Sequence, residues 1–287
     1  MSDTPSSVPV VSNPLVARLA RGGLGLALMV RQVQSVDIAL AASTCGFDAI
    51  NIDLEHSVIP EAAAAQICIT ALLAGVTPLV RVASHDPAVV SRILDAGACG
   101  VVVPHVANAE QARAIVRAAK FAPLGERSVA GSWPHLAYGS WPAEETRRAL
   151  NAASMVVVML ETPEAIAQAD AIAAVPGVDI LHVGATDLCQ SMGIAGRFAD
   201  PALQRCFAQV VAACRAHGKV AGAGGLAGRP EVLQEMVLLG VRFVTAGIEW
   251  DLMLAAATQR VQALRALPLE QALNRDGELV GKAAQHG

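Results

Sequence analysis

The chain has 287 residues, 54% of them hydrophobic and only 16% charged, with a formal net charge of −4. That balance excludes a disordered, solvated polymer and implies a large buried core. The 21 Lys and Arg are scattered, so no basic face is offered to a phosphate backbone and nucleic acid is excluded as a partner.

The chain opens on MSDTPSSVPVVSN, a polar, Pro- and Ser-rich stretch read as a disordered tail over residues 1–13, without the basic start and apolar run of a signal peptide. Residues 14–287 are expected to form a single domain with a helical C-terminal tail. Apolar runs are broken by Gly, Pro or charge well before the ~20 residues a membrane span needs, so a soluble protein is expected. Six cysteines without a C-x-x-C pair suit a reducing cytoplasm.

Eight runs of β-formers follow in order: GLALMV (25–30), AINIDL (49–54), PLVRV (78–82), GVVVP (100–104), MVVVML (155–160), DILHVG (179–184), VAGAGG (220–225) and RFVTAG (242–247). They are continuously apolar rather than alternating, as parallel strands buried on both faces must be. Helical stretches separate them, at 35–45, 60–75, 86–97, 108–120, 162–175, 200–218 and 229–240. Several open on a capping residue followed by Pro, as at Asp86-Pro87, Thr162-Pro163 and Asp200-Pro201, and several close on glycine, as at Gly97, Gly218 and Gly240. Eight β-α units predict a (β/α)8 TIM barrel, with an open doubly wound sheet as the alternative. The segment 121–145 breaks the rhythm, being Gly/Pro-rich with Trp133, Trp141 and Tyr138, and a long ordered loop of that kind points to function.

Barrel enzymes carry their chemistry where strands end. Strand 2 ends in Asp53, Glu55 and His56, strand 3 in Arg81, strand 5 in Glu161 and strand 6 in Gly184, Ala185, Thr186 and Asp187. Glu161 and Asp187, on neighbouring strands ~4.8 Å apart, can share one hard divalent cation; singly, each could equally cap the helix that follows it. Arg81 is suited to clamp an anion or enolate, or to pair with an internal carboxylate. His56 beside two acids is the expected general base, oriented by Asp53. GAGG (222–225) lacks the spacing of a Walker or Rossmann loop and is expected to be a βα loop with close backbone approach.

The stretches FDAINIDLEHS, PLVRV, DPAVVSRILDAGACGVVVPHVANAEQARAIVRAAKFAPLGERS, LETPEAIAQADAIAAVPGVDILHVGATDLCQSMG and GVRFVTAGIEWDLM together resemble the HpcH/HpaI aldolase family of the pyruvate/phosphoenolpyruvate barrel superfamily, across about residues 23–258. The resemblance implies a divalent-metal-dependent class II aldolase, a carbon-carbon lyase that cleaves or forms 4-hydroxy-2-oxo acids through a pyruvate enolate, with an oxo acid and an aldehyde as its small-molecule partners. It implies Glu161 and Asp187 as metal ligands (Mg²⁺ or Mn²⁺, with Co²⁺ or Zn²⁺ open) and Arg81 on the 2-oxo oxygen. It further implies His56 as proton carrier held by Asp53, Glu55 in support around the metal, and backbone N–H groups of Gly184, Ala185, Thr186 and Asp187 on the substrate carboxylate. A homo-oligomer is implied too, a hexamer built as a trimer of dimers that exchange a C-terminal helix. The departures from the family pattern are Met159 in place of a usual Gln, Ala185 and Cys189 in the strand-6 turn, and Arg31 near the mouth of a strand 1 that lacks the usual Trp. They leave open a carboligase, a citrate-synthase-like or phosphonomutase-like reaction, or a non-catalytic homologue on the same barrel.

Overall fold

The computed structural model describes residues 11–267. In chain order it contains α1 (Pro14–Ala20), β1 (Gly25–Val30), α2 (Asp37–Thr44), β2 (Ala49–Asp53), α3 (Glu61–Ala74), β3 (Thr77–Arg81), α4 (Pro87–Asp95), β4 (Gly100–Val103), α5 (Ala109–Ala119), α6 (Ala143–Ala153), β5 (Met155–Leu160), α7 (Pro163–Ala167), α8 (Ala169–Ala173), β6 (Ile180–Gly184), α9 (Ala185–Ser191), α10 (Pro201–Ala216), β7 (Val220–Gly224), α11 (Pro230–Leu239), β8 (Phe243–Ile248) and α12 (Glu249–Arg265). The eight strands are parallel and close into a barrel in sequence order, β1 pairing with β8. This is the (β/α)8 architecture the strand count predicts. The chain divides into two compact units, the barrel unit ending at Glu249 and a second beginning at Trp250.

Nearly every strand residue is buried, because one face of each strand fills the barrel and the other packs against the helices. The interior layer is Ala27, Ala49, Leu79, Val102, Met155, Val157, Met159, Ile180 and Phe243, with Leu15 of α1 packed among them. The larger cluster lies between barrel and helices and includes Val30, Ile52, Val80, Val103, Val158, Leu160, Val183 and Phe207.

Leu15 closes the floor. Its N–H donates to Thr77 Oγ1 at the start of β3, and Asn13 both caps α1 and reaches Thr77 and the Ala153 carbonyl just before β5. The tail expected over 1–13 therefore ends earlier than Asn13, whose side chain is buried; residues 1–10 lie outside the described part. The opposite, C-terminal end of the barrel is left as the mouth.

Segment 121–145 is not a loop at that mouth. It follows α5 and leads into α6 and β5, so it runs at the N-terminal ends of the strands. Trp133 is buried against Phe121 and Leu150, and the Arg127 guanidinium lies over both aromatic rings at 4.7 and 5.1 Å while pairing with Asp95 at 2.6 Å. Phe121 and Trp133 make a third, small apolar cluster with Leu150. Gly222 and Gly224 belong to β7, as the 220–225 strand run predicts, and not to the βα loop expected over 222–225. The His182 imidazole lies against them, and a Cβ at either position would come within 2.5 or 2.6 Å of a ring nitrogen.

Candidate active site

The register of β2 against β3 sets Asp53 beside Arg81 at the mouth. Arg81 grips both oxygens of Asp53, Nε to Oδ1 at 2.9 Å and Nη2 to Oδ2 at 2.6 Å, and places Nη1 2.9 Å from Glu55 Oε2. Asp53 is fully buried. Burial alone would raise its carboxyl pKa, but the hydrogen bond and charge of Arg81, helped by the His56 N–H and by Arg31, hold it below the ordinary range. Arg81 is pulled down by burial and raised further by Asp53, Glu55 and Glu161, so it stays a cation. One N–H on each of Nη1 and Nη2 is left for an incoming oxygen.

Asp53 does not orient the His56 imidazole, contrary to the expectation from their closeness in sequence. Its Oδ1 accepts the backbone N–H groups of Glu55 and His56, folding the turn, while its charge is taken up by the arginines. The His56 ring instead stands 3.7 Å from Glu55 Oε2 and is half exposed.

A second imidazole, that of His105, which its place after β4 marks only weakly in the sequence, completes the cluster. His105 follows β4 in a left-handed conformation (φ 55°) that is strained for a non-glycine residue. Its Nε2 lies 3.0 Å from Glu55 Oε1 and its Nδ1 3.0 Å from Glu161 Oε2, and its own N–H donates to that same Glu161 oxygen at 2.8 Å. Glu55 thus bridges Arg81, His56 and His105.

Glu161 is buried at the end of β5, and its pKa is raised by burial and by the charges of Asp187 and Glu55, against the lowering effect of the His105 N–H and charge. Asp187 sits exposed in the first turn of α9, a helix that starts directly at the end of β6. The charges of Asp187 and Glu55 act on Glu161, a repulsion that a divalent cation would relieve. Two carboxylates with water and substrate completing the shell suit a hard cation such as Mg²⁺, so the residues present fit that group. Among the described residues no group of three or more His, Cys, Asp or Glu is placed to hold a metal ion, so the protein would supply two carboxylates and leave the remaining positions to water and substrate.

Gly184 permits this arrangement, since a Cβ there would stand 2.7 Å from Glu161 Oε1. The N–H groups of the first turn of α9, among them those of Thr186 and Asp187, lack partners within the helix, as all first-turn donors do. Gly225, at φ 78°, likewise makes room for Thr186 Oγ1. Of the departures from the family pattern, Cys189 is fully buried in the outer core and does not line the mouth; Ala185 is also fully buried, and Met159 lies inside the barrel beside His182.

Residues 29–256 match the family model described as HpcH/HpaI aldolase/citrate lyase. The chain belongs to that family. It is 40% identical to a 4-hydroxy-4-methyl-2-oxoglutarate aldolase of Hapsidospora irregularis over 90% of its length and 97% of that protein's. A similarly named aldolase of Chaetomium globosum is 38% identical over 91% of this chain and 98% of the relative. Among solved structures, the HpcH/HpaI aldolase of Desulfitobacterium hafniense superposes with a TM-score of 0.83 at 29% identity, covering 90% and 98% of the two chains. The protein is an aldolase, a carbon-carbon lyase of this family. No helix among its described residues is long and apolar enough to cross a membrane.

Proposed function

We propose that this aldolase is divalent-metal-dependent and cleaves or forms 4-hydroxy-2-oxo acids through a pyruvate enolate. The observation that carries the reading is that Glu161 and Asp187, at the ends of neighbouring strands, share the barrel mouth with the buried Arg81 and its partner Glu55. Glu161 and Asp187 would hold the cation, which when bound supplies Lewis-acid polarisation of the 2-oxo group. The two free N–H groups of Arg81 meet the same oxygen as negative charge develops on it, pre-aimed by Asp53 and Glu55, so no reorganisation is needed at the moment of bond cleavage.

The 4-hydroxyl must lose its proton as the C3–C4 bond breaks, the bonding pair passing into the enolate. His56 is assigned as the carrier, its ring near Glu55 and open to solvent. In the forward sense the enolate C3 then takes a proton and pyruvate leaves. The first-turn N–H groups of α9 suit the substrate carboxylate. No Schiff-base lysine is needed; Lys120 points its Nζ at the Ser154 and Asn151 carbonyls, away from the mouth.

A cytoplasmic setting and a hexamer exchanging C-terminal helices complete the proposal. Helix α12 supports it by carrying Leu252, Met253, Leu254, Val261 and Leu264 as exposed apolar side chains that another copy could cover. A monomeric mass by sedimentation would remove that part. The chemistry is tested by pyruvate release from 4-hydroxy-2-oxo acids with and without EDTA. Release that stops with EDTA and returns with Mg²⁺ or Mn²⁺ is expected; undiminished release in EDTA refutes it.

A further inference from the structure

Arg31 is a charged side chain at the mouth that the reaction above does not use. It follows Val30 at the end of β1, almost opposite β5 across the barrel. Its Nε donates to Asp53 Oδ2 at 2.7 Å, the same oxygen that accepts from Arg81 Nη2. Nη1 and Nη2 have no hydrogen-bond partner among the described residues, and the side chain is 29% exposed, neither sealed in nor free in solvent.

The backbone beneath it is fixed with unusual thoroughness. The N–H groups of Arg31, Gln32 and Val33 all converge on Glu249 Oε1, at 2.8, 2.5 and 3.1 Å. Glu249 is buried at the end of β8, so its carboxylate pins the turn after β1 to the neighbouring strand. A guanidinium held by Nε on a pinned turn presents its end-on edge, the two Nη groups, as an unoccupied fork. That geometry matches a carboxylate bidentately, and pre-fixing it avoids the ordering cost of binding.

We propose that Arg31 binds a second carboxylate, on the part of the substrate beyond the cleaved C3–C4 bond. The preferred substrate is then a dicarboxylic 4-hydroxy-2-oxo acid, and the second product is an oxo acid rather than a neutral aldehyde. The proposal rests on the reading of the reaction above: Arg81 and the Glu161–Asp187 side take the pyruvate half, and Arg31, which shares the Asp53 carboxylate with Arg81 and lies across the barrel from β5, takes the other end.

The test compares 4-hydroxy-2-oxoglutarate with 4-hydroxy-2-oxovalerate, which differ only by carboxylate against methyl on C4, with pyruvate release read by a coupled dehydrogenase in Mg²⁺ or Mn²⁺. The wild-type enzyme is expected to favour the dicarboxylate in kcat/KM. Arg31→Gln should lower the ratio of the two kcat/KM values roughly 10- to 100-fold, the loss of a charge-assisted pair, with Arg31→Lys between. A wild type that favours the methyl compound overturns the proposal without any variant, and so does an Arg31→Gln ratio equal to the wild-type one. A wild type that cleaves neither compound defeats the proposed 4-hydroxy-2-oxo acid chemistry as well, so the two failures are told apart.

Discussion

Acidification should destabilise the barrel through one interior histidine. His182 is fully buried on β6, against Phe243, Gly222 and Gly224, with only a 3.5 Å contact from Nε2 to Thr245 Oγ1 and no partner for Nδ1. Burial, aided by the charge of Arg81, holds its pKa at about 3 against an ordinary 6.5. The folded value lies below the unfolded one, so the unfolded chain binds the extra proton first. The contribution is complete above pH 6.5 and lost as pH falls from there toward 3. Between pH 7 and 5 the loss from this single group is about 2 kcal/mol. Other acids titrate in the same range, so the measurement is a double difference: denaturant-unfolding free energies of wild type and His182→Leu at both pH values. Leu is close to imidazole in volume and carries no proton, and the wild type should lose about 2 kcal/mol more than the variant. Equal losses in the two proteins would refute the argument.

Three further outcomes follow from the site. Gly184→Ala forces Glu161 aside and should lower kcat at least tenfold, by an estimate of about 1.4 kcal/mol lost at one carboxylate, while the midpoint of thermal unfolding moves only slightly; unchanged kcat would show that Glu161 tolerates displacement. Asp53→Asn leaves Arg81 and Arg31 without their buried counter-charge and should cost about 3–5 kcal/mol in unfolding free energy, measured in urea, together with most of the activity. Glu249→Ala releases the three N–H groups of the turn at residues 31–33 and should raise KM for substrate more than it lowers kcat; loss in kcat alone would separate that turn from binding.

The barrel was readable because each of its eight strands is a short apolar run bounded by turn chemistry, and the observed strands agree with the expected ranges to within one or two residues. Two of the helices that escaped have local reasons. In α6 the opening Ala143, Glu144 and Glu145 continue a Gly/Pro-rich stretch, and α9 begins on the residue after β6, leaving no separate loop to announce it. The acids and Arg81 were readable from their strand-end positions. What pairs with what was not, because barrel register decides it: Asp53 faces Arg81, 28 residues away, rather than the ring of His56, three residues away. His105 escaped for the same cause, its partners Glu55 and Glu161 being 50 and 56 positions distant. Glu249 carried a usable signal, since it follows β8 as Glu161 follows β5, and the same strand-end rule applies to both.

The contact between Glu249 and the turn after β1 spans more than two hundred residues of chain. During synthesis, everything that Arg81 and Asp53 need has emerged long before the carboxylate that secures Arg31. The half of the mouth built from β2 to β6 can therefore take shape first, and the β1 side stays unfinished until residue 249 clears the ribosome. Such long-range closure is a late and slow step in folding. A chain interrupted shortly before that point would hold most of its strands yet lack the one anchor that turns the barrel's first and last strands into a single wall.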